Sequence, residues 1–303
     1  MNLFDLHCDT ALEIYRRKES IYNNSCHVSL EKADNIDKYY QVMAIWGDRS
    51  LSDEECFSEF VSARSYLENE LKSHALPFYP STGETDKRRF YLSVEDARLL
   101  CGDISRLDYL YNSGVRLIIP VWGGSSHIGG AFDTDEGLTE FGKDVVKRSF
   151  ELGIASDVSH SSLKTARDIF NIAEKYGKPI IASHSCSFSV CAHPRNLNDD
   201  QFKIIKELGG IVGLSFCRKH LDPDGNCDIY TIIKHLDHYL ELGGEDMVCM
   251  GADMDGTDLP DGISGIGNAE YIYEHLDKEF GSLLADKITF NNAYNFFNKY
   301  IER

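Results

Sequence analysis

Residues 139–184 read TEFGKDVVKRSFELGIASDVSHSSLKTARDIFNIAEKYGKPIIASH, and this stretch decides the fold. Thr139–Leu152 reads as a helix closed by Gly153, and Ile154–His160 follows as a strand. The pattern repeats at once: Ser162–Tyr176 is a helix closed by Gly177, and Pro179–His184 is the next strand. Glycine ends a helix in the left-handed conformation without a Cβ penalty. An apolar run directly after it is the mark of a strand buried on both faces, as in a parallel sheet.

The same unit extends in both directions. Toward the C-terminus, Asp199–Leu208 is closed by Gly209 and Gly210 and leads into Ile211–Phe216. Asp228–Leu242 is closed by Gly243 and Gly244 and leads into Met247–Asp253. Toward the N-terminus, the short helix Ser105–Asn112 precedes Val115–Val121, and Phe90–Glu95 alternates as a strand. Ser52 and Glu55 form a capping box that opens a long amphipathic helix with Cys56, Phe60, Ala63, Leu67 and Leu71 on one face. Tyr40–Trp46 and Leu3–His7 complete the set. Eight strand candidates alternating with helices predict an α/β fold, a TIM-like (β/α)8 barrel. A Gly-x-Gly-x-x-Gly turn and any linker are both missing from the sequence, so residues 1–303 are expected to form a single barrel domain.

Composition narrows the partners. A net charge of −18 argues against nucleic acid and against anionic membrane surfaces. The apolar runs fall short of the ~20 residues needed to cross a bilayer. The N-terminus has neither a basic n-region nor an apolar h-region, and the nine cysteines form no Cys-x-x-Cys pair. A cytoplasmic protein with reduced thiols is expected. The sequence leaves oligomeric state open, a homodimer included.

In a (β/α)8 barrel the C-terminal strand ends carry the chemistry. Phe4-Asp5-Leu6-His7-Cys8-Asp9 places His7 and Asp9 on one strand face, because side chains alternate. Glu95 ends the third strand, Asp157-Val158-Ser159-His160 the fifth and Ser183-His184-Ser185 the sixth. Gly251-Ala252-Asp253-Met254-Asp255-Gly256 ends the eighth. So many imidazoles and carboxylates at strand ends are costly to bury unless a cation offsets them. They exceed the needs of one tetrahedral zinc and suggest two divalent ions. Ions about 3.5–4 Å apart need a shared ligand, and a carboxylate can bridge where an imidazole cannot; Glu95 is the candidate.

These motifs resemble those of the renal or membrane dipeptidase family, a zinc peptidase branch of the amidohydrolase superfamily. The resemblance runs from Phe4 to about Tyr300 and rests on DLHCDT at 5–10, GLTEFGKDVV at 137–146 with DVSH at 157–160, SHS at 183–185, HPRN at 193–196 and GADMDG at 251–256. It implies that His7 and Asp9 bind one zinc, that His160 and His184 bind the other, and that Glu95 bridges them. It also implies that Arg195 holds the substrate's terminal carboxylate and that Asp253 handles the proton.

The expected activity is hydrolysis of unblocked dipeptides, including those with a C-terminal D-residue, by hydroxide that two Zn2+ or other divalent ions generate near neutral pH. Two other readings fit the sequence: an amidohydrolase acting on another small amide, an N-acyl amino acid or a lactone, and a non-catalytic metal-containing barrel that binds a ligand. The family places a substrate-binding histidine after the fourth strand. Trp122 occupies that position here. Trp122 is therefore expected to form an apolar wall, and His127 in the glycine-rich loop 123–130 to supply the missing polar contact when that loop closes.

Overall fold

The computed structural model describes residues 1–76, 78–79 and 87–302. In chain order the elements are β1 (Asn2–Cys8), α1 (Thr10–Arg17), β2 (Lys38–Trp46), α2 (Asp53–Ser73), β3 (Arg88–Glu95), α3 (Arg106–Asn112), β4 (Val115–Ile119) and α4 (Glu140–Leu152). They continue with β5 (Ala155–Ser156), α5 (Leu163–Tyr176), β6 (Ile181–Ala182), α6 (Asp199–Glu207), β7 (Ile211–Leu214), α7 (Arg218–Leu221), α8 (Ile229–Glu241) and β8 (Val248–Met250). The C-terminal helices are α9 (Ala269–Phe280), α10 (Ser282–Asp286) and α11 (Asn292–Tyr300), with a π-helical turn at Lys287–Asn291.

The strands form one parallel sheet in the order β5-β4-β3-β2-β1-β8-β7-β6. A bridge between Asp157 and Ile181, with the Val158 N–H donating to the Ile181 carbonyl at 2.9 Å, joins its two edges. The result is the (β/α)8 barrel that the alternation predicts, with no exposed edge to protect.

Local chemistry accounts for the helix ends. The Ser52–Glu55 capping box opens α2, and Thr139 and Ser162 cap α4 and α5 through their side-chain oxygens. Gly153 and Gly177 stop those helices at φ of 85° and 58°, as their positions predict. The floor of the barrel is aromatic. Phe4, Tyr91 and Phe297 meet with ring centroids 4.6–5.5 Å apart, so α11 plugs the end opposite the strand C-termini. Residues 10–17, which the sequence reading assigns to no element, form the first helix, and residues 269–300 form the C-terminal helices, of which α11 is this plug.

The late strands are shorter than the apolar runs suggest. β5 keeps Ala155–Ser156 of Ile154–His160, β6 keeps Ile181–Ala182 of Pro179–His184, and β8 keeps Val248–Met250 of Met247–Asp253. Buried carboxylates take over where the ladders stop. Asp157 accepts the N–H groups of Ser159 at 2.8 Å and Ser183 at 3.1 Å. Asp5 accepts those of His7 at 2.9 Å and Ala252 at 3.0 Å. The freed backbone then turns: His160 and Asp253 lie at φ of 68° and 60°, which aims their side chains across the barrel mouth.

Candidate metal centre and active site

His7, Asp9, Glu95, His160, His184 and Asp253 converge at the C-terminal mouth. The two oxygens of Glu95 face different imidazoles. Oε2 lies 3.5 Å from His7 Nε2, while Oε1 lies 2.9 Å from His160 Nε2 and 3.5 Å from His184 Nε2. His7 Nε2 is also 3.5 Å from Asp9 Oδ1 and 3.7 Å from Asp253 Oδ1. Two sets, His7–Glu95–His184 and His7–Asp9–Asp253, have ligand atoms within 4.8 Å of one another.

The outer contact of His160 sets its tautomer, since a carbonyl only accepts, and that of His184 suits the same one. His160 Nδ1 meets the Trp122 carbonyl at 2.9 Å, and His184 Nδ1 meets Ser183 Oγ at 2.8 Å. A ring that donates through Nδ1 keeps its Nε2 lone pair for the interior, as a metal ligand requires. The two Nε2 atoms are 3.0 Å apart.

The donor set fits a metal on its own chemistry. His7 Nδ1 and Nε2, Asp9 Oδ1 and Glu95 Oε1 are buried without a hydrogen-bond partner. Such orphaned polar atoms are expensive in a protein interior, and a divalent cation satisfies several at once. The titration behaviour has the same origin. Burial drives the Asp253 carboxyl well above its usual range; His7 pulls it back, and the charges of Asp9 and Glu95 push it further. Asp9 is raised to about 6, first by burial. Burial would raise Glu95 too, but His7 and His160 hold it well below the ordinary value. Burial opposes a proton on His7, yet Glu95 and Asp9 keep its pKa well above normal. The carboxylates thus demand positive charge at the centre of the cluster. Burial and then Arg195 lower His160 to about 4, and burial, His7 and Arg195 hold His184 well below normal, so both rings stay in the neutral, metal-binding form.

Arg195 lies beside the cluster. Its guanidinium is buried and reaches His184 Nε2 at 2.8 Å, the His184 carbonyl at 3.2 Å and Ser185 Oγ at 3.2 Å, while its Nε is left without a partner. Trp122, after β4, lies against His160. It stacks on Trp46 with centroids 5.1 Å apart and tilts against His160 at 6.1 Å.

Two sequence candidates stand elsewhere. Asp157 spends its carboxylate on backbone amides and takes no part in either ligand set. His127 is held on the outer side of the rim. Its Nδ1 is 3.3 Å from Asp53 Oδ2, its Nε2 accepts the Gly102 N–H at 3.3 Å, and its carbonyl accepts the Thr139 hydroxyl at 2.6 Å. In this structure these bonds tie the loop to α2 and α4 and hold the His127 ring away from the ligand cluster. The sequence reading also passed over Thr10, His27 and Asp255, which pack behind Asp253. The sequence signal for Thr10 and Asp255 is their place within the DLHCDT and GADMDG motifs.

Barrel and site together place the chain among the metal-dependent hydrolases built on a (β/α)8 barrel. The membrane dipeptidase family, peptidase family M19, matches residues 1–299, and the chain belongs to that family. An uncharacterized protein in the pqqA 5′ region of Klebsiella pneumoniae is 32% identical over 212 residues, which are 66% of this chain and 77% of that protein. A metallo peptidase from Rhodobacter sphaeroides, liganded with a phosphinate mimic of the dipeptide L-Ala-D-Ala, superposes with a TM-score of 0.89 at 23% identity, over 99% of each chain. Dipeptidase AC, an M19 metallo peptidase, superposes with a TM-score of 0.90 at 23% identity, over 100% of this chain and 99% of its own. These two likenesses concern the fold.

Proposed function

We propose that residues 1–303 act as one catalytic domain, a dipeptidase that hydrolyses unblocked dipeptides with the help of two zinc ions or other divalent ions. The observation that carries the proposal is the split of Glu95, one oxygen toward His7 and the other toward the His160–His184 pair. His7 and Asp9 would hold one ion, His160 and His184 the other, and Glu95 both. Ions bound there supply an activated water near neutral pH and a Lewis acid for the scissile carbonyl.

The remaining steps belong to the chain's own groups. Asp253 stands at the edge of the cluster, its Oδ1 3.7 Å from His7 Nε2. As a carboxylate there it can take a proton from water and hold it until the amine leaves, as base and then acid. Arg195 reads the free C-terminal carboxylate: a guanidinium offers a planar, bidentate fork, and burial strengthens each charged bond. Trp46, at the end of β2 and opposite Arg195, stacks on Trp122 after β4, and the two form an aromatic wall that bounds the N-terminal residue of the substrate.

Tolerance of a C-terminal D-residue is part of the proposal, and the L-Ala-D-Ala mimic held by the Rhodobacter sphaeroides peptidase supports it. A cytoplasmic location is proposed from the free state of all nine cysteines. Among the described residues no helix is long and apolar enough to cross a membrane. The net charge of −18 speaks against nucleic acid as a partner.

Metal analysis tests the proposal. After zinc loading and gel filtration we expect about two ions per chain, and Glu95→Gln should lower both occupancies because the shared ligand loses its charge. One ion or none in the native chain, or full occupancy in Glu95→Gln, would contradict it.

A further inference from the structure

The proposed chemistry leaves one residue unused at the end of each of two motifs, Thr10 in DLHCDT and Asp255 in GADMDG. The structure joins them. Thr10 Oγ1 donates to Asp255 Oδ2 at 2.5 Å, and the backbone N–H of His27 donates to Asp255 Oδ1 at 2.5 Å. The Asp255 N–H in turn donates to His27 Nδ1 at 2.9 Å. The Asp255 side chain is only 3% exposed, so these bonds replace water around a buried carboxylate. His27 is itself fixed, since its carbonyl accepts the Ile266 N–H at 3.1 Å.

The turn that these bonds hold is a strained one. Asp253 and Asp255 have φ of 60° and 70°, a region that side-chain-bearing residues occupy only where their surroundings over-determine it. On the barrel side, the Asp253 N–H donates to the His7 carbonyl at 3.1 Å and the Asp9 N–H to the Met254 carbonyl at 2.9 Å. On the outer side, the restraint is the set of bonds from Thr10 and His27. Gly256 closes the turn directly over the reacting carboxylates; a Cβ there would come within 2.5 Å of both Asp253 Oδ1 and Asp9 Oδ2.

We propose that Thr10, His27 and Asp255 form a clasp that sets the carboxylate of Asp253 for proton transfer. They are positioning residues: none touches the metal-ligand atoms, and each acts through the turn that carries Asp253. The kinetic part of this inference rests on the dipeptidase reading. Arg195 and the Trp46–Trp122 wall lie on other strands, so loosening the clasp lowers kcat and leaves KM in place.

Thr10→Ser keeps the hydroxyl, and Thr10→Val keeps the shape without it. Against a dipeptide and with zinc loaded, we expect kcat of Thr10→Val to fall at least ~10-fold below that of Thr10→Ser, and Asp255→Asn to fall ~10²-fold, the effect of a small misplacement of a reacting group. KM and zinc content should match the native protein. In crystals of the two Thr10 variants, the Asp253 backbone should stay left-handed in Thr10→Ser and leave that region in Thr10→Val. Equal kcat in the two Thr10 variants, or zinc lost from Thr10→Val, overturns the clasp. Absence of dipeptide turnover in the native protein defeats the dipeptidase reading instead, and the Asp253 backbone in the two crystals then decides the clasp alone.

Discussion

Gly256 is the residue where packing and chemistry meet most tightly. A methyl group on its Cα would lie 2.5 Å from both Asp253 Oδ1 and Asp9 Oδ2 and would displace one carboxylate or the other. Gly256→Ala should therefore reduce kcat by ~10-fold or more, as expected for a group moved by a fraction of an ångström, while the melting temperature changes little. Native kcat in a folded Gly256→Ala protein would show that the carboxylates have room that the structure denies them. Much of this centre was legible in the sequence. His7, Asp9, Glu95, His160, His184 and Asp253 stand out because alternating strands and helices bring all strand ends to one face. Asp5 and Asp157 were not legible as backbone acceptors. An aspartate at a strand end looks like a ligand until the amides of Ala252 or Ser183 are seen to converge on it. Thr10 and His27 were hidden for a different reason: Asp255 lies 245 and 228 positions away from them, and no local pattern reports such a contact.

At the scale of elements, all eight strands were found, but the ends of the helices that were read fall closer to their predicted places than the ends of the late strands. Caps and glycine stops are local chemistry, whereas a strand's end depends on when its neighbours stop pairing. The loop after β4 illustrates the limit. Gly123, Gly124, Gly129 and Gly130 suggest mobility, yet the loop is fastened at the Ser126 N–H to the Gly129 carbonyl and at the Thr139 hydroxyl to the His127 carbonyl. His127→Ala should leave kcat on a dipeptide within about twofold of native, a difference below ~0.5 kcal/mol. A tenfold loss with zinc retained would restore His127 to the site.

The α8 helix provides a second test through His235. Its Nδ1 accepts the Ser187 N–H at 3.1 Å and its Nε2 meets the Leu221 carbonyl at 2.9 Å, so the ring pins α8 to the loop after β6 and to α7. Burial lowers its pKa from 6.5 to about 4, against the pull of the Leu221 carbonyl. A proton on Nδ1 would also face the Ser187 N–H. The unfolded chain takes up that proton near 6.5 and the folded chain only near 4, so this stability is present above pH 6.5 and is lost as pH falls toward 4. Between pH 7 and pH 5 the loss is about 2 kcal/mol. Denaturant unfolding of the native protein and His235→Gln at both pH values measures it. The variant should lose about 2 kcal/mol less than the native protein, and identical pH slopes would remove His235 as the source.

For the whole molecule, the barrel separates stability from chemistry. Phe4, Tyr91 and Phe297 seal one end, and the ligand cluster occupies the other. The overall charge of −18 surrounds a mouth in which Arg195 is a buried cation beside the proposed metal ligands. That cation gives the central claim its sharpest consequence, because recognition of a free carboxylate distinguishes a dipeptidase from an enzyme for amides or lactones that lack one. The measurement is turnover by zinc-loaded protein of one dipeptide supplied as the free acid and as the C-terminal amide, with both C-terminal stereoisomers and with Arg195→Lys alongside. We predict turnover of the free acids, poor turnover of the amides, and a KM for the free acids raised ~10-fold or more in Arg195→Lys, the worth of a bidentate charged contact. Equal turnover of acid and amide, or no turnover of any dipeptide by the fully loaded protein, would contradict the account.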